Sequence, residues 1–168
     1  MTLVLVSAGC NTKTKATPEN FTATINTYFV DHPECLLDGS IRFPFETSDA
    51  VQTRQMDSLV LAQILEAHKE PSIHVTRYTL TTTGTRAGTH LCFGHRQVTQ
   101  IVSSTPPAQA NGFPETRVTY AYKLEDTPMW AKTPEVKASF PKLEAATSGS
   151  ASDTITLASS GVNWTVPN

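Results

Sequence analysis

Thr116-Arg-Val-Thr-Tyr-Ala-Tyr-Lys-Leu124 decides the fold class. Val118, Tyr120, Tyr122 and Leu124 recur at every second position, so a strand gathers them on one face. β-branched and aromatic residues fill the stretch, as a half-buried pleated surface favours. Neighbouring stretches read the same way. Ile73-His-Val-Thr-Arg-Tyr-Thr-Leu-Thr81 alternates. His90 to Ser103 reads as a long strand, Leu91-Cys-Phe93 and then Val98-Thr-Gln-Ile-Val102, bent at Gly94. Asp153-Thr-Ile-Thr-Leu157, Ser159-Ser-Gly161 and Val162-Asn-Trp-Thr-Val166 read as a closing hairpin. Pro44 demotes Ile41-Arg-Phe-Pro-Phe45 to an edge or an extended segment. Pro106 to Pro114 reads as a loop, and Thr81 to Gly88 as a strand-end turn.

The front of the chain is helical. Thr17-Pro-Glu-Asn20 supplies a cap, a proline at the first helical position and an acid in the first turn. Phe21, Ile25, Tyr28 and Phe29 then form one apolar stripe. The helix is expected to end near Asp31, because His32 precedes Pro33. Ser48-Asp49 caps a second helix expected to run to about His68, with Met56, Leu59, Val60, Leu61, Ile64 and Leu65 on its apolar face. Pro134 and Pro141 bracket a further short helix. The expected architecture is therefore α+β: two N-terminal helices followed by an antiparallel sheet of about five strands. With 168 residues and only 17% charged, the chain has the size and composition of a single folded domain, placed at residues 17–168.

Residues 1–10, Met-Thr-Leu-Val-Leu-Val-Ser-Ala-Gly-Cys, read as a truncated export signal. Small residues at 7–9 suit a signal peptidase, and Ser-Ala-Gly-Cys10 resembles the lipobox of bacterial lipoproteins. That resemblance implies lipidation at Cys10 and a membrane anchor. Ser7 stands where the lipobox usually carries Leu or Val. The leader also lacks a charged start, which a start site placed too far downstream would explain. Residues 11–16, Asn-Thr-Lys-Thr-Lys-Ala, are polar and read as a tether. In a double-membrane bacterium, Asn11 resembles the outer-membrane sorting class. No later run approaches the ~20 apolar residues of a membrane-spanning helix.

Three cysteines occur, Cys10, Cys35 and Cys92. With Cys10 acylated, two remain in an oxidising compartment, and a Cys35–Cys92 disulfide is expected. Its loop of more than 50 residues corresponds to about 3–4 kcal/mol in the chain-entropy account. In a cytosolic protein the same residues read as two buried free thiols.

His32, Cys35, His90 and Cys92 form a His2Cys2 set that zinc or copper would accept, but only if the sulfurs are thiolates. No Gly-x-Ser-x-Gly elbow occurs, and His95 and Asp57 have no nucleophile that the sequence assigns to them, so no catalytic residue and no cofactor is expected. The second helix followed by Arg77-Tyr-Thr-Leu-Thr81 and Gly84 looks like the last helix and wing of winged-helix proteins, which keeps a cytosolic DNA-binding regulator as the rival class. The net charge of −2 removes the usual electrostatic reason to expect nucleic acid. Tyr120, Tyr122, Trp130 and Trp164 read as core first and as a ligand surface second.

Several phrases together resemble a group of small, uncharacterised proteobacterial envelope lipoproteins. They are Phe21 to Cys35, Phe43-Pro-Phe45, Met56-Asp57 to Leu65, Arg77 to Thr81 with Gly84, Leu91-Cys-Phe-Gly94, Val118 to Trp130, and Leu157 to Trp164. These are packing and turn positions, so the resemblance implies a shared fold without a reaction. It implies cysteines equivalent to Cys35 and Cys92 and a place in the bacterial envelope; with the lipobox and Asn11, the expected location is the periplasmic side, anchored to the outer membrane. The role expected is binding or structural, with a metal-binding envelope protein as the minor alternative.

Overall fold

A computed structural model describes residues 12–37, 39–149 and 151–167. The leader with Cys10, and Asn11 beside it, lie outside the described residues. The chain is α+β, with two antiparallel sheets of three and five strands. It divides into two compact units. One comprises the described residues up to Tyr28, Val98–Ala121 and residues 152–167; the other is Phe29–Gln97 with Tyr122–Ala151.

The first helix, α1, is Pro18–Asp31, ending where the Pro33 argument puts it. The Thr17 hydroxyl accepts from the Asn20 N–H, so the cap is a threonine as its sequence indicates. Strand β1 is Phe45–Thr47, helix α2 is Ala50–Leu61, and strands β2 and β3 are Leu65–Glu70 and Val75–Leu80. The Asp49 carboxylate accepts from Val51 and Gln52, capping α2.

Helix α2 stops seven residues before His68. Its end is a Schellman turn: Ile64 N–H donates to Leu59 C=O, Gln63 N–H donates to Val60 C=O, and Gln63 sits at φ 61°. Leu65-Glu-Ala-His-Lys-Glu70 favours helix by composition. It is a strand because it pairs antiparallel with β3, from Leu65 opposite Leu80 to Glu70 opposite Val75. Tertiary pairing overrides propensity here. The smaller sheet runs β1-β3-β2.

Residues 81–88, expected to form a turn, hold the short helix α3, Thr82–Ala87. The Thr81 hydroxyl accepts from the Gly84 N–H and donates to the Gln63 carbonyl. A Cβ on Gly84 would lie 2.1 Å from the Ile64 carbonyl oxygen, so only glycine fits. The long strand expected from His90 begins later: β4 is His95–Ser104. Before it, Leu91-Cys-Phe93 makes a single bridge, Cys35 opposite Cys92.

The expected loop 106–114 contains a third hairpin. Strand β5, Ala108–Ala110, pairs with the start of β6, Phe113–Glu125. Asn111 and Gly112 turn between them at φ 52° and 83°, the conformation that Asn-Gly favours. A 3-10 turn at Met129–Lys132 is followed by α4, Pro134–Ser139, and α5, Pro141–Thr147. Pro141 opens a helix as well as closing one. Strands β7, Ala151–Ser159, and β8, Trp164–Thr165, form the expected closing hairpin. The larger sheet runs β4-β6-β7-β8, with β5 on β6.

Each unit has its own core. In the first, Phe21, Ile25, Val118, Tyr120, Leu157 and Trp164 are buried. Phe21 meets Trp164 edge to face at 5.3 Å, and the indole N–H donates to the Lys15 carbonyl. In the second, Met56, Leu59, Ile64, Leu65 and Tyr78 pack with Trp130, Val136, Phe140 and Leu143. Tyr120, Tyr122, Trp130 and Trp164 are all buried, so the four aromatics belong to cores. No helix among the described residues is long and apolar enough to cross a membrane.

Tyr78 is fully buried, and its hydroxyl donates to Asp57 on α2 at 2.8 Å. Burial pushes the phenol up to about 12, and the hydrogen bond to Asp57 and its negative charge add to the rise. The unfolded phenol ionises near 10, so the unfolded state loses its proton first. This contribution is therefore full below pH 10 and is lost as pH rises toward 12. We expect stability in urea to fall by about 2–3 kcal/mol more across that interval in the wild type than in Tyr78→Phe. Below pH 10 Tyr78→Phe should be about 1–2 kcal/mol less stable. Equal pH profiles for the two proteins would contradict this account.

Candidate functional site

The site is built where the chain leaving α1 meets the chain entering β4. Glu34 N–H donates to the Gly94 carbonyl, Phe93 N–H to the Glu34 carbonyl, and Leu36 N–H to the Leu91 carbonyl. Cys35 and Cys92 thus face each other at a position where the backbones do not bond directly, the close-approach position of an antiparallel pair. They form a disulfide across a sequence separation of 57. The expected pairing is present, and it fits an oxidising compartment.

Two residues along, Gly94 has φ 130°, and a Cβ there would lie 2.3 Å from the Glu125 carbonyl oxygen at the end of β6. Glycine alone lets β4 pass this close. Arg96 follows two residues later, within β4. Its guanidinium lies 4.7 Å from the Phe29 ring centre and 4.5 Å from that of Tyr122, and it pairs with Glu34. The Arg96 side chain is only 16% exposed. A cation so placed gains from both ring faces, and a guanidinium stacks there as an ammonium does not.

A polar cleft of about 340 Å³ adjoins the end of β6, lined by Lys123, Glu125, Asp126, Lys132, Lys137 and Thr147 among others. Lys123 pairs with Glu125 at 2.6 Å. The hydrogen bond from Lys123 and its charge hold the Glu125 carboxyl below its ordinary range. His95 faces Asp126 at 3.5 Å. The cleft offers hydrogen bonds and charges of both signs.

Of the residues singled out by sequence, Cys35 and Cys92 come together. Cys10 lies outside the described residues. The His2Cys2 set fails on its sulfurs: an oxidised pair supplies no thiolate, and His32 and His90 sit on exposed positions. Among the described residues no group of three or more His, Cys, Asp or Glu side chains is placed to hold a metal. Asp57 accepts from the Tyr78 hydroxyl, and His95 lies 3.5 Å from Asp126. Sequence reading missed the Glu34–Arg96 pair. Its signal was a charge of each sign flanking the two paired cysteines, one residue before Cys35 and four after Cys92. Comparison with family models, curated proteins and solved structures gives no significant match.

Two measurements test this corner. Opening the disulfide in the Cys35→Ser/Cys92→Ser protein should cost about 4 kcal/mol in urea unfolding, the chain-entropy value for a loop of this length. A loss under about 1 kcal/mol would mean that the hydrogen bonds around the bridge suffice without it. Arg96→Ala should cost about 2–4 kcal/mol, since it strips both rings of their cation and leaves Glu34 alone. Arg96→Lys should recover less than half of that.

Proposed function

We propose that the chain is a lipid-anchored domain on the periplasmic side of a bacterial envelope, held to the outer membrane through Cys10, with a binding or structural role and no catalysis. The observation that carries this reading is the Cys35–Cys92 disulfide. Such bonds form and persist outside the reducing cytosol. With those sulfurs joined, Cys10 is the remaining thiol, and it sits behind Ser-Ala-Gly. The resemblance to proteobacterial envelope lipoproteins supports the same placement. Cys35 with Cys92, Arg96 with Glu34, and Tyr78 with Asp57 are engaged with one another, which suits a scaffold or binding domain. The polar cleft beside Glu125 is the place for a small charged ligand of such a domain.

A second reading rests on one observation. Helix α2 is followed directly by the β2–β3 hairpin in a small antiparallel sheet, the order found at the end of a winged helix. A DNA-binding regulator of that shape would need a basic surface. Four of the six residues of β2 are Glu66, His68, Lys69 and Glu70, of mixed sign.

Feeding labelled palmitate to cells that express the full gene product tests the first reading. Label is expected on the wild type and absent from Cys10→Ser. An unlabelled wild type removes the anchor, and retardation of duplex DNA at physiological salt would favour the regulator.

A further inference from the structure

Strand β4 is an outer strand of the larger sheet. Natural edges are usually blunted by shortness, proline or charge. The others here follow that rule. Strand β8 has two residues and Pro167 just beyond it, β1 has three and follows Pro44, and β2 carries the four ionisable residues named above. Strand β4 spans 10 residues, and from Gln97 to Ser104 it has no ionisable side chain, proline or glycine.

Its backbone direction is fixed at both ends. Thr105 N–H donates inward, to the Arg117 carbonyl on β6. Val98 N–H points the other way, to the Asn26 side-chain oxygen on α1. Because backbone groups alternate along an antiparallel strand, Gln100, Val102 and Ser104 turn theirs outward as Val98 does. All three are exposed, Val102 to 56%.

We propose that Gln100–Ser104 is a strand-addition surface whose partner is a second copy of this chain, paired antiparallel about a two-fold axis at Val102. In this register Val102 meets Val102, and Gln100 of each copy meets Ser104 of the other. Every outward N–H and C=O of the three residues finds a partner. The next pair would be Val98 with Pro106. The Val98 N–H is already held by Asn26, and Pro106 has no N–H. The ladder therefore ends on both sides where the free groups end. Centring it on Ile101 would instead set Ser104 against the occupied Val98. The segment is thus complementary to itself, and an uncharged edge meets no like charge in its own copy. The exposed Val102 side chains are covered by each other. A ladder this short gives a dimer that dissociates on dilution.

Sedimentation equilibrium of the full chain over a wide concentration range tests the proposal. We expect a monomer–dimer equilibrium that Val102→Lys weakens at least tenfold by placing two ammonium groups together on the axis. Leu61→Lys, at an exposed apolar position on α2, should leave it unchanged. A monomer at every concentration, or a dimer that Val102→Lys does not weaken, overturns the proposal. If Val102→Lys fails to fold, amide exchange of the wild type decides. The Gln100, Val102 and Ser104 amides should slow at least tenfold from dilute to concentrated protein, and unchanged rates overturn it.

Discussion

One covalent bond sets the boundary conditions for about a third of this chain. The Cys35–Cys92 disulfide encloses β1, α2, β2, β3 and α3, the whole of the smaller sheet and the helices packed with it. Without it, the pairing between residues 34–37 and 90–94 is a few backbone hydrogen bonds joining segments more than fifty residues apart. Each such bond contributes on the order of 1 kcal/mol net. Loop closure over that distance costs several times as much. A bond that persists in the unfolded chain removes most of that cost before folding begins.

The bridge also explains why Arg96 sits where it does. Closing the two segments fixes Glu34 beside the entry to β4, and Gly94 lets that strand pass against the end of β6. Between Phe29, Tyr122 and Glu34 there is then a partly desolvated slot of negative character, formed by two ring faces and a carboxylate. A lysine would bring one point charge to it. Arginine brings a plane that touches both rings and still reaches the carboxylate. The ion pair thus sits directly beside the cross-link and adds its own contacts to it.

The sequence disclosed the parts of the fold whose signals are local. The cap at Thr17, the stop before Pro33, the alternation from Val118 to Leu124 and the closing hairpin each depend on a few adjacent residues. The failures are equally specific. Leu65 to Glu70 is helical by propensity and extended in fact, because β3 needs an antiparallel neighbour and Gln63 turns the chain at a left-handed residue. The hairpin at Asn111-Gly112 was legible from that dipeptide, but three prolines nearby pointed to a loop. The Glu34–Arg96 pair was illegible without the register of the disulfide, since nothing local joins residues 62 apart. The cysteine pairing itself came from parity and compartment, arguments that use the whole chain.

The same distinction separates what this chain shows of its structure from what it shows of its role. Several side chains of reactive type hold contacts within the fold. Both sulfurs near the site are joined to each other, Asp57 holds a buried phenol, and Arg96 is wedged between rings. A general base or nucleophile needs a partner whose protonation or position changes during a reaction. A group whose contacts maintain the fold loses stability whenever it makes such a change. On the proposed reading, recognition falls to solvent-facing groups at the cleft beside Glu125 and along the uncharged edge of β4. Along that edge the outward backbone groups of the proposed pairing give up no contact that the fold requires.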